Sequence, residues 1–274
     1  METGLSEEKI REYLKSCMPE TSAPALLRVL DGTDSTNRAA KELAADGAPG
    51  FSLVVSHTQT AGRGRLGKSF CSPPGGLYMS LILRPDPDPE RLALITPAAA
   101  LAVCRALETV SDGVCHIKWV NDIYVRGRKT AGILAEAVAD GSGTAVILGV
   151  GINVTTDPAA FPPDVAERAG ALFPCGVGCA DPFVRERLCA LVASETAAEL
   201  SRLYSGAVPP AFIAEYRRRS MLDKREVTVL RGGGEYPAAV IGIDEKCRLG
   251  VVFRGGEKDG TVEYLSSGDV SLRL

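Results

Sequence analysis

Apolar positions recur at helical spacing over residues 6–17, with Ser6 ahead of the first turn as an N-cap and Glu8 and Lys9 inside it. Short apolar runs at 26–30, 51–57 and 77–83 predict buried strands. The composition of 38–45 predicts a helix whose N-terminus is Asp34-Ser35-Thr36-Asn37. That tetrapeptide reads as a cap, and hydroxyls and free N–H groups at a helix start also suit a bound polar ligand. Pro85, Pro87 and Pro89 make 84–89 an extended loop, because alternating prolines exclude a helix interior or a central strand. A long Ala-, Leu- and Val-rich helix follows over 90–110, read as buried against a sheet.

Beyond residue 115 the pattern turns to strands. Two short ones flank a break that carries Lys118, Asn121, Asp122 and the single tryptophan, Trp119. Strands at 128–136 and 145–154 contain Gly132, Gly149 and Gly151, and such interruptions imply close approach by a ligand or a neighbouring strand. Asp181-Pro182 marks the start of a helix reaching 203, and Pro209-Pro210 starts another reaching 219. The basic run Arg217-Arg218-Arg219 suits the negative end of that helix. After 223, five short runs at 226–230, 236–243, 248–253, 261–265 and 270–273, separated by glycine-rich turns, predict a small β-barrel.

The 274 residues suffice for one core with a small appended module. Hydrophobic residues make up 45% and charged ones 24%, as in a soluble globular protein, and the net charge of −3 argues against a nucleic-acid binder. The N-terminus has acids where a signal peptide needs a basic head and an apolar run, so secretion is not expected. The apolar run 92–107, broken by Thr96 and Pro97, reads as too short for a membrane span, so a cytosolic location is expected. Eight cysteines lack CxxC spacing and only His57 and His116 accompany them, so reduced, structural thiols are expected and no protein-ligated metal. Cys175 and Cys179 form the one close pair.

Candidate chemistry gathers at Gly62-Arg63-Gly64-Arg65-Leu66-Gly67-Lys68-Ser69-Phe70. Its glycines let the backbone approach a ligand while Arg63, Arg65 and Lys68 supply cationic donors for an anion. Together with Asp34-Ser-Thr-Asn37, Gln59, Lys118-Trp-Val-Asn-Asp122, Lys129-Thr-Ala-Gly-Ile-Leu134 and Gly149-Val-Gly-Ile-Asn153, in this order and spacing, the chain from about residue 26 resembles the biotin protein ligases. Val120 stands where that family usually has proline, and Phe70 where it usually has tryptophan.

The resemblance implies an α+β fold: a catalytic domain like that of class II aminoacyl-tRNA synthetases, with a mixed sheet flanked by helices, over 26–222, an SH3-like barrel over 223–274 and a helical extension over 1–25. It implies that Ser35, Thr36, Asn37 and Gln59 hold the ureido ring of biotin. Arg63, Gly64 and Arg65 would close over the biotin carboxylate and the α-phosphate of ATP, with Lys129 bridging both. Arg65, Lys118, Asn121, Gly132, Gly151 and Asn153 would serve the nucleotide. Asp122 would accept a proton from the incoming amine or orient its neighbours.

The implied reaction joins two anions, the biotin carboxylate and ATP, giving biotinyl-5′-AMP and pyrophosphate. Arg63, Lys129 and Mg²⁺ would offset their repulsion and stabilise the charge that grows on phosphoryl oxygens. A lysine of a biotin carboxyl carrier domain then attacks the mixed anhydride. The short segment before residue 26 leaves no room for a DNA-binding module, so a ligase without repressor function is expected, as monomer or homodimer. Two other readings stay open: a nonenzymatic biotin sensor, which would not need Lys129 or the basic loop, and a lipoate-type ligase, whose Arg-Arg-x-Ser-Gly-Gly-Gly loop is not found here.

Overall fold

The structure is a computed structural model that describes residues 4–85, 88–140, 143–174, 179–266 and 271–273. In chain order its elements are α1 (Glu7–Cys17), β1 (Leu27–Leu30), α2 (Thr36–Ala45), β2 (Ser52–Ser56), β3 (Gly76–Leu83), α3 (Pro89–Val110), β4 (Cys115–Lys118), β5 (Asp122–Val125), β6 (Arg128–Asp140) and β7 (Gly143–Asn153). There follow α4 (Pro163–Ala166), α5 (Val184–Tyr204), α6 (Pro210–Arg219), β8 (Glu226–Arg231), β9 (Gly234–Ile243), β10 (Leu249–Phe253), β11 (Val262–Leu265) and β12 (Ser271–Arg273).

Two sheets organise the molecule. The larger runs β1-β2-β3-β7-β6-β5-β4, and the smaller, β11-β10-β9-β8-β12, is built from the last five strands. β1 and β2 are parallel, joined by the α2 crossover, and every other pairing in the large sheet is antiparallel. The sheet is therefore mixed.

Helices cover both faces. α2 lays Ala40 and Ala44 on Val54, Ile82 and Ile147, and their small side chains let the helix sit close to the sheet. On the opposite face α3 is buried along Ala98–Cys104 and again at Ala106 and Leu107, and α5 packs against it through Leu188, Cys189, Val192 and Ala193. Leu101, fully enclosed, is a position where truncation to alanine costs about 2–5 kcal/mol through lost contacts and a residual cavity.

Several details differ from the sequence reading. α3 spans 22 residues and is long and apolar enough to cross a bilayer by those measures; its apolar surface is taken up inside the protein instead. Pro89 at its first turn and Asp88, which accepts from Glu90 N–H at 3.0 Å, start it. α5 begins at Val184, because Asp181 closes a turn onto Phe183 N–H (2.9 Å) rather than capping the helix. Two of the three arginines ending α6, Arg217 and Arg219, are committed to specific partners, not to the helix dipole alone. Arg219 meets Glu108 (2.6 Å) and Glu215 (3.0 Å), and Arg217 meets Glu245 (2.8 Å). Residues 86, 87 and Cys175 lie outside the described residues, so the 84–89 loop is described only in part and the Cys175–Cys179 pair not at all. The other seven cysteines are free thiols.

Candidate active site

The site forms at one end of the large sheet, where the β1–α2 corner, the loop after β2, the β4–β5 turn and the glycines of β6 and β7 converge. Ser35, Thr36, Asn37, Gln59, Arg63, Gly64, Arg65, Asn121, Asp122, Lys129, Gly132 and Gly151 line one cavity of about 160 Å³. Lys118 and Asn153 line an adjoining cavity of about 340 Å³, which shares Arg65, Asn121, Asp122 and Lys129 with the first.

One end is neutral and densely hydrogen-bonded. Ser35 is the N-cap residue by position, but its side chain makes no capping bond; Asp34 Oδ1 takes the Ser35 N–H instead (2.7 Å). Ser35 is buried as a residue and lines the cavity, and its hydroxyl has no protein partner among the described residues. Thr36 donates from its N–H (2.8 Å) and its hydroxyl (3.1 Å) to Gln59 Oε1, and Gln59 Nε2 donates to Ser72 Oγ (2.8 Å). Asn37 donates to Glu136 Oε2 (2.8 Å), and the Ser80 hydroxyl lies 2.7 Å from Asn37 Oδ1. Lys41 completes this wall, 2.7 Å from Glu136. Burial pushes the Glu136 carboxyl up, but hydrogen bonds from Lys41 and Asn37, with the charges of Lys41 and Arg63, hold it below the usual carboxylate range.

The floor depends on glycine. Gly132 and Gly151 face each other across β6 and β7, with Gly149 two residues away. A Cβ on Gly149 would stand 2.1 Å from Asn37 Oδ1, and one on Gly151 only 2.5 Å from the Phe70 ring. The close neighbours that the interrupted strands imply are thus two side chains of the protein, Asn37 and Phe70.

The other end is cationic. The 62–70 loop folds on itself: Gly64 N–H reaches Lys68 C=O (2.7 Å), Phe70 N–H reaches Gly62 C=O (2.8 Å), and Leu66 and Gly67 take positive φ at its tip. Arg65 donates to Asn121 Oδ1 (3.1 Å), and Asn121 in turn bonds Ile133 C=O (2.9 Å). Burial lowers the Arg65 guanidinium below its ordinary value, an effect Asp122 opposes. Lys129 sits 2.6 Å from Asp122 and 5.9 Å from the centre of the Phe70 ring. Arg63, by contrast, makes no side-chain hydrogen bond or ion pair among the described residues; it lines the first cavity, where its charge acts on Glu136.

In the second cavity Lys118 is lowered chiefly by burial, with Lys129, Arg168 and Lys68 repelling its charge and Asp122 partly compensating. Asn153 donates to Gly170 C=O (3.2 Å) while its buried Oδ1 is left without a protein partner, open to a donor from a ligand.

Sequence reasoning missed Ser72, Ser80, Glu136 and Arg168. Ser80 did carry a signal, since it is a polar residue inside a strand otherwise built for burial. Ser72 and Arg168 carried none, because only the folded chain brings Ser72 to Gln59 and Arg168 to the second cavity.

A cleft with a hydrogen-bonded polar cradle at one end and converging cations at the other has the chemistry to take a ligand with a neutral head beside anionic groups. Residues 29–153 match the Biotin/lipoate A/B protein ligase family. The chain is 33% identical over 274 residues to the Biotin–[acetyl-CoA-carboxylase] ligase of Mycobacterium tuberculosis, covering 97% of this chain and 95% of that one. It is 42% identical over 170 residues to the Bifunctional ligase/repressor BirA of Bacillus subtilis, covering 61% of this chain and spanning about half, 51%, of that protein's length. Among solved structures it is similar to the biotin protein ligase of Aquifex aeolicus in complex with biotin and ATP, with TM-score 0.75, 27% identity, and coverage of 91% of this chain and 99% of that one. The chain belongs to the biotin protein ligase family.

Proposed function

We propose that this chain is an ATP-dependent biotin protein ligase, which activates biotin as biotinyl-5′-AMP and transfers it to a lysine of a biotin carboxyl carrier domain. The observation that carries this reading is the pairing within one cleft of the Ser35–Gln59 cradle and the cations Arg63 and Lys129. A buried ureido ring needs every donor and acceptor paired, and the free Ser35 hydroxyl supports its seat there. Asn37 shapes the cradle from below, its amide fixed by Glu136 and Ser80.

Biotin's carboxylate extends from the cradle toward Arg63, Gly64 and Arg65. Lys129 and Arg63 offset the repulsion as the carboxylate attacks the α-phosphate, and they stabilise charge that develops on the phosphoryl oxygens. Lys118, Asn121 and Asn153 serve the nucleotide in the adjoining cavity, and Gly132 and Gly151 seat the Phe70 ring against the floor. In the second step the carrier lysine, with a reference pKa of about 10.4, must arrive neutral. Asp122, already paired with Lys129, orients that cation in this reading, the alternative role being acceptor of the amine's proton.

Mg²⁺ fits this site as a partner of the nucleotide. Among the described residues no group of three or more His, Cys, Asp or Glu gathers to hold a metal, and Asp122 is the one carboxylate lining either cavity. A single carboxylate beside substrate phosphates is the usual protein share of such a site. When bound, the ion supplies charge neutralisation of the phosphates.

The same reading extends to the architecture: residues 26–222 form a catalytic domain of the class II aminoacyl-tRNA synthetase type, 223–274 an SH3-like module and 1–25 an extension. The protein works in the cytoplasm, without DNA, as a monomer or homodimer. Incubation with labelled biotin, ATP, Mg²⁺ and a carrier domain tests the function. Transfer of label, abolished by EDTA, is expected; tight biotin binding with no transfer overturns it in favour of a sensor.

A further inference from the structure

The β4–β5 turn carries Asn121 and Asp122, yet its backbone is held from outside the large sheet. Tyr216 of α6, wholly buried, donates its hydroxyl to Val120 C=O at 3.0 Å. Trp119 Nε1 donates to Cys247 C=O at 2.9 Å, in the turn between β9 and β10, and Met221 N–H bonds Ile117 C=O at 3.0 Å. On its inner side the same turn holds Arg65 through Asn121 and Lys129 through Asp122. The turn is a bridge, with catalytic contacts on one side and anchors from the C-terminal part of the chain on the other.

We propose that Tyr216 is a positioning residue for the nucleotide half of the cleft, acting through the Val120 carbonyl on Asn121 and Asp122. For its kinetic readout the proposal rests on the ligase reading above. Val120 is only 2% exposed, so water cannot replace the phenol as donor, and a buried carbonyl stripped of its partner moves to find another. Burial also raises the Tyr216 phenol well above its ordinary value, which keeps the hydroxyl a donor at working pH. The neutral cradle depends on other supports. Gln59 is held by Ser72, and Asn37 by Ser80 and Glu136, with no bond from α6 or from the β9–β10 turn among the described residues. Loss of the phenol therefore acts first on Asn121 and Asp122, and it leaves the hydrogen bonds of the Thr36, Asn37 and Gln59 cradle in place.

Tyr216→Phe removes one oxygen and keeps the ring in its packing. Amide hydrogen exchange measured by mass spectrometry should quicken at least about five-fold over residues 118–123 and stay unchanged over 33–37 and 57–61. In biotin-dependent ATP–pyrophosphate exchange, KM for ATP should rise about ten-fold, while the Kd for biotin without nucleotide stays within about two-fold. A uniform rise in hydrogen exchange, or equal losses for biotin and ATP, or no change in either, overturns the proposal. Wild-type protein that performs no pyrophosphate exchange refutes the ligase reading, and hydrogen exchange then still decides the anchoring role. Should Tyr216→Phe fail to fold, Trp119→Phe removes the neighbouring indole bond to Cys247, and its hydrogen exchange must show the same local pattern or the proposal falls.

Discussion

Lys129 Nζ stands 2.6 Å from Asp122 Oδ1, so the cation assigned to two anions already leans on a carboxylate. An incoming carboxylate and phosphate compete for that ammonium, and Asp122 sets where it waits. Lys129→Ala should lower biotin-dependent ATP–pyrophosphate exchange by at least about 10²-fold, the usual scale for losing one group that stabilises developing charge. Near-normal exchange would strike Lys129 from the mechanism. Asp122→Asn should slow activation and transfer together, because an orienting group serves both; a loss confined to transfer would make it the amine's base instead.

The loop bearing Arg63 and Arg65 closes on itself through backbone bonds at Gly62 and Gly64, but Leu66 at its tip is 54% exposed. Fixing three glycines is entropically costly, so a ligand that ties down the arginines should protect the segment. Tryptic cleavage after Arg63 or Arg65 should slow several-fold with biotin plus ATP. Equal rates with and without ligands would contradict closure.

Gly151 has an ordinary backbone conformation, so alanine there meets a packing conflict and no φ penalty: its Cβ would lie 2.5 Å from Phe70 Cε1. Gly151→Ala should reduce kcat/KM about ten-fold or more by pushing the ring into the cleft. Combining it with Phe70→Leu should restore part of that loss, measured as a double-mutant cycle. Simple additivity would mean the two positions do not share the space.

Strand and helix positions followed the sequence closely, because burial periodicity and proline punctuation are local signals. The five short strands after residue 223 and the buried α3 are both written in pattern alone. What stayed hidden was pairing across distance. Gly132 and Gly151 announced that something must come close, but nothing local said that Phe70 was the visitor. The three arginines ending α6 read as dipole chemistry, and only the folded chain brings Glu108 to Arg219. Ser35 shows the same limit: a capping residue by position turned out to have an uncommitted side chain.

Glu136, Glu108 and Glu215 all have carboxyls held below their ordinary value of 4.5, burial being outweighed by hydrogen bonds and charge from Lys41 and Asn37, from Arg219, and from Arg105 and Arg219 respectively. A carboxyl depressed in the folded state contributes stability that is complete above its unfolded value and lost as pH falls through its folded one. Thermal stability should therefore hold down to about pH 5 and decline below about 4.5. Glu136→Gln should flatten part of that acid decline while weakening biotin binding. An unchanged profile in the variant would detach Glu136 from the acid transition.

The hydrogen bonds of the cleft also differ in how far along the chain they reach. Thr36 and Gln59 are 23 residues apart, Asn37 and Glu136 are 99, and Trp119 and Cys247 are 128. Contacts of short separation form cheaply and early in folding, and distant ones wait for large loops to close. The Thr36–Gln59 corner is thus the local part of the cradle, whereas the turn carrying Asn121 and Asp122 gains its outer anchor only when the last strands have formed. Refolding followed by hydrogen-exchange pulse labelling should find residues 33–59 protected before 118–123, so that the selective half of the cleft matures ahead of the reactive half.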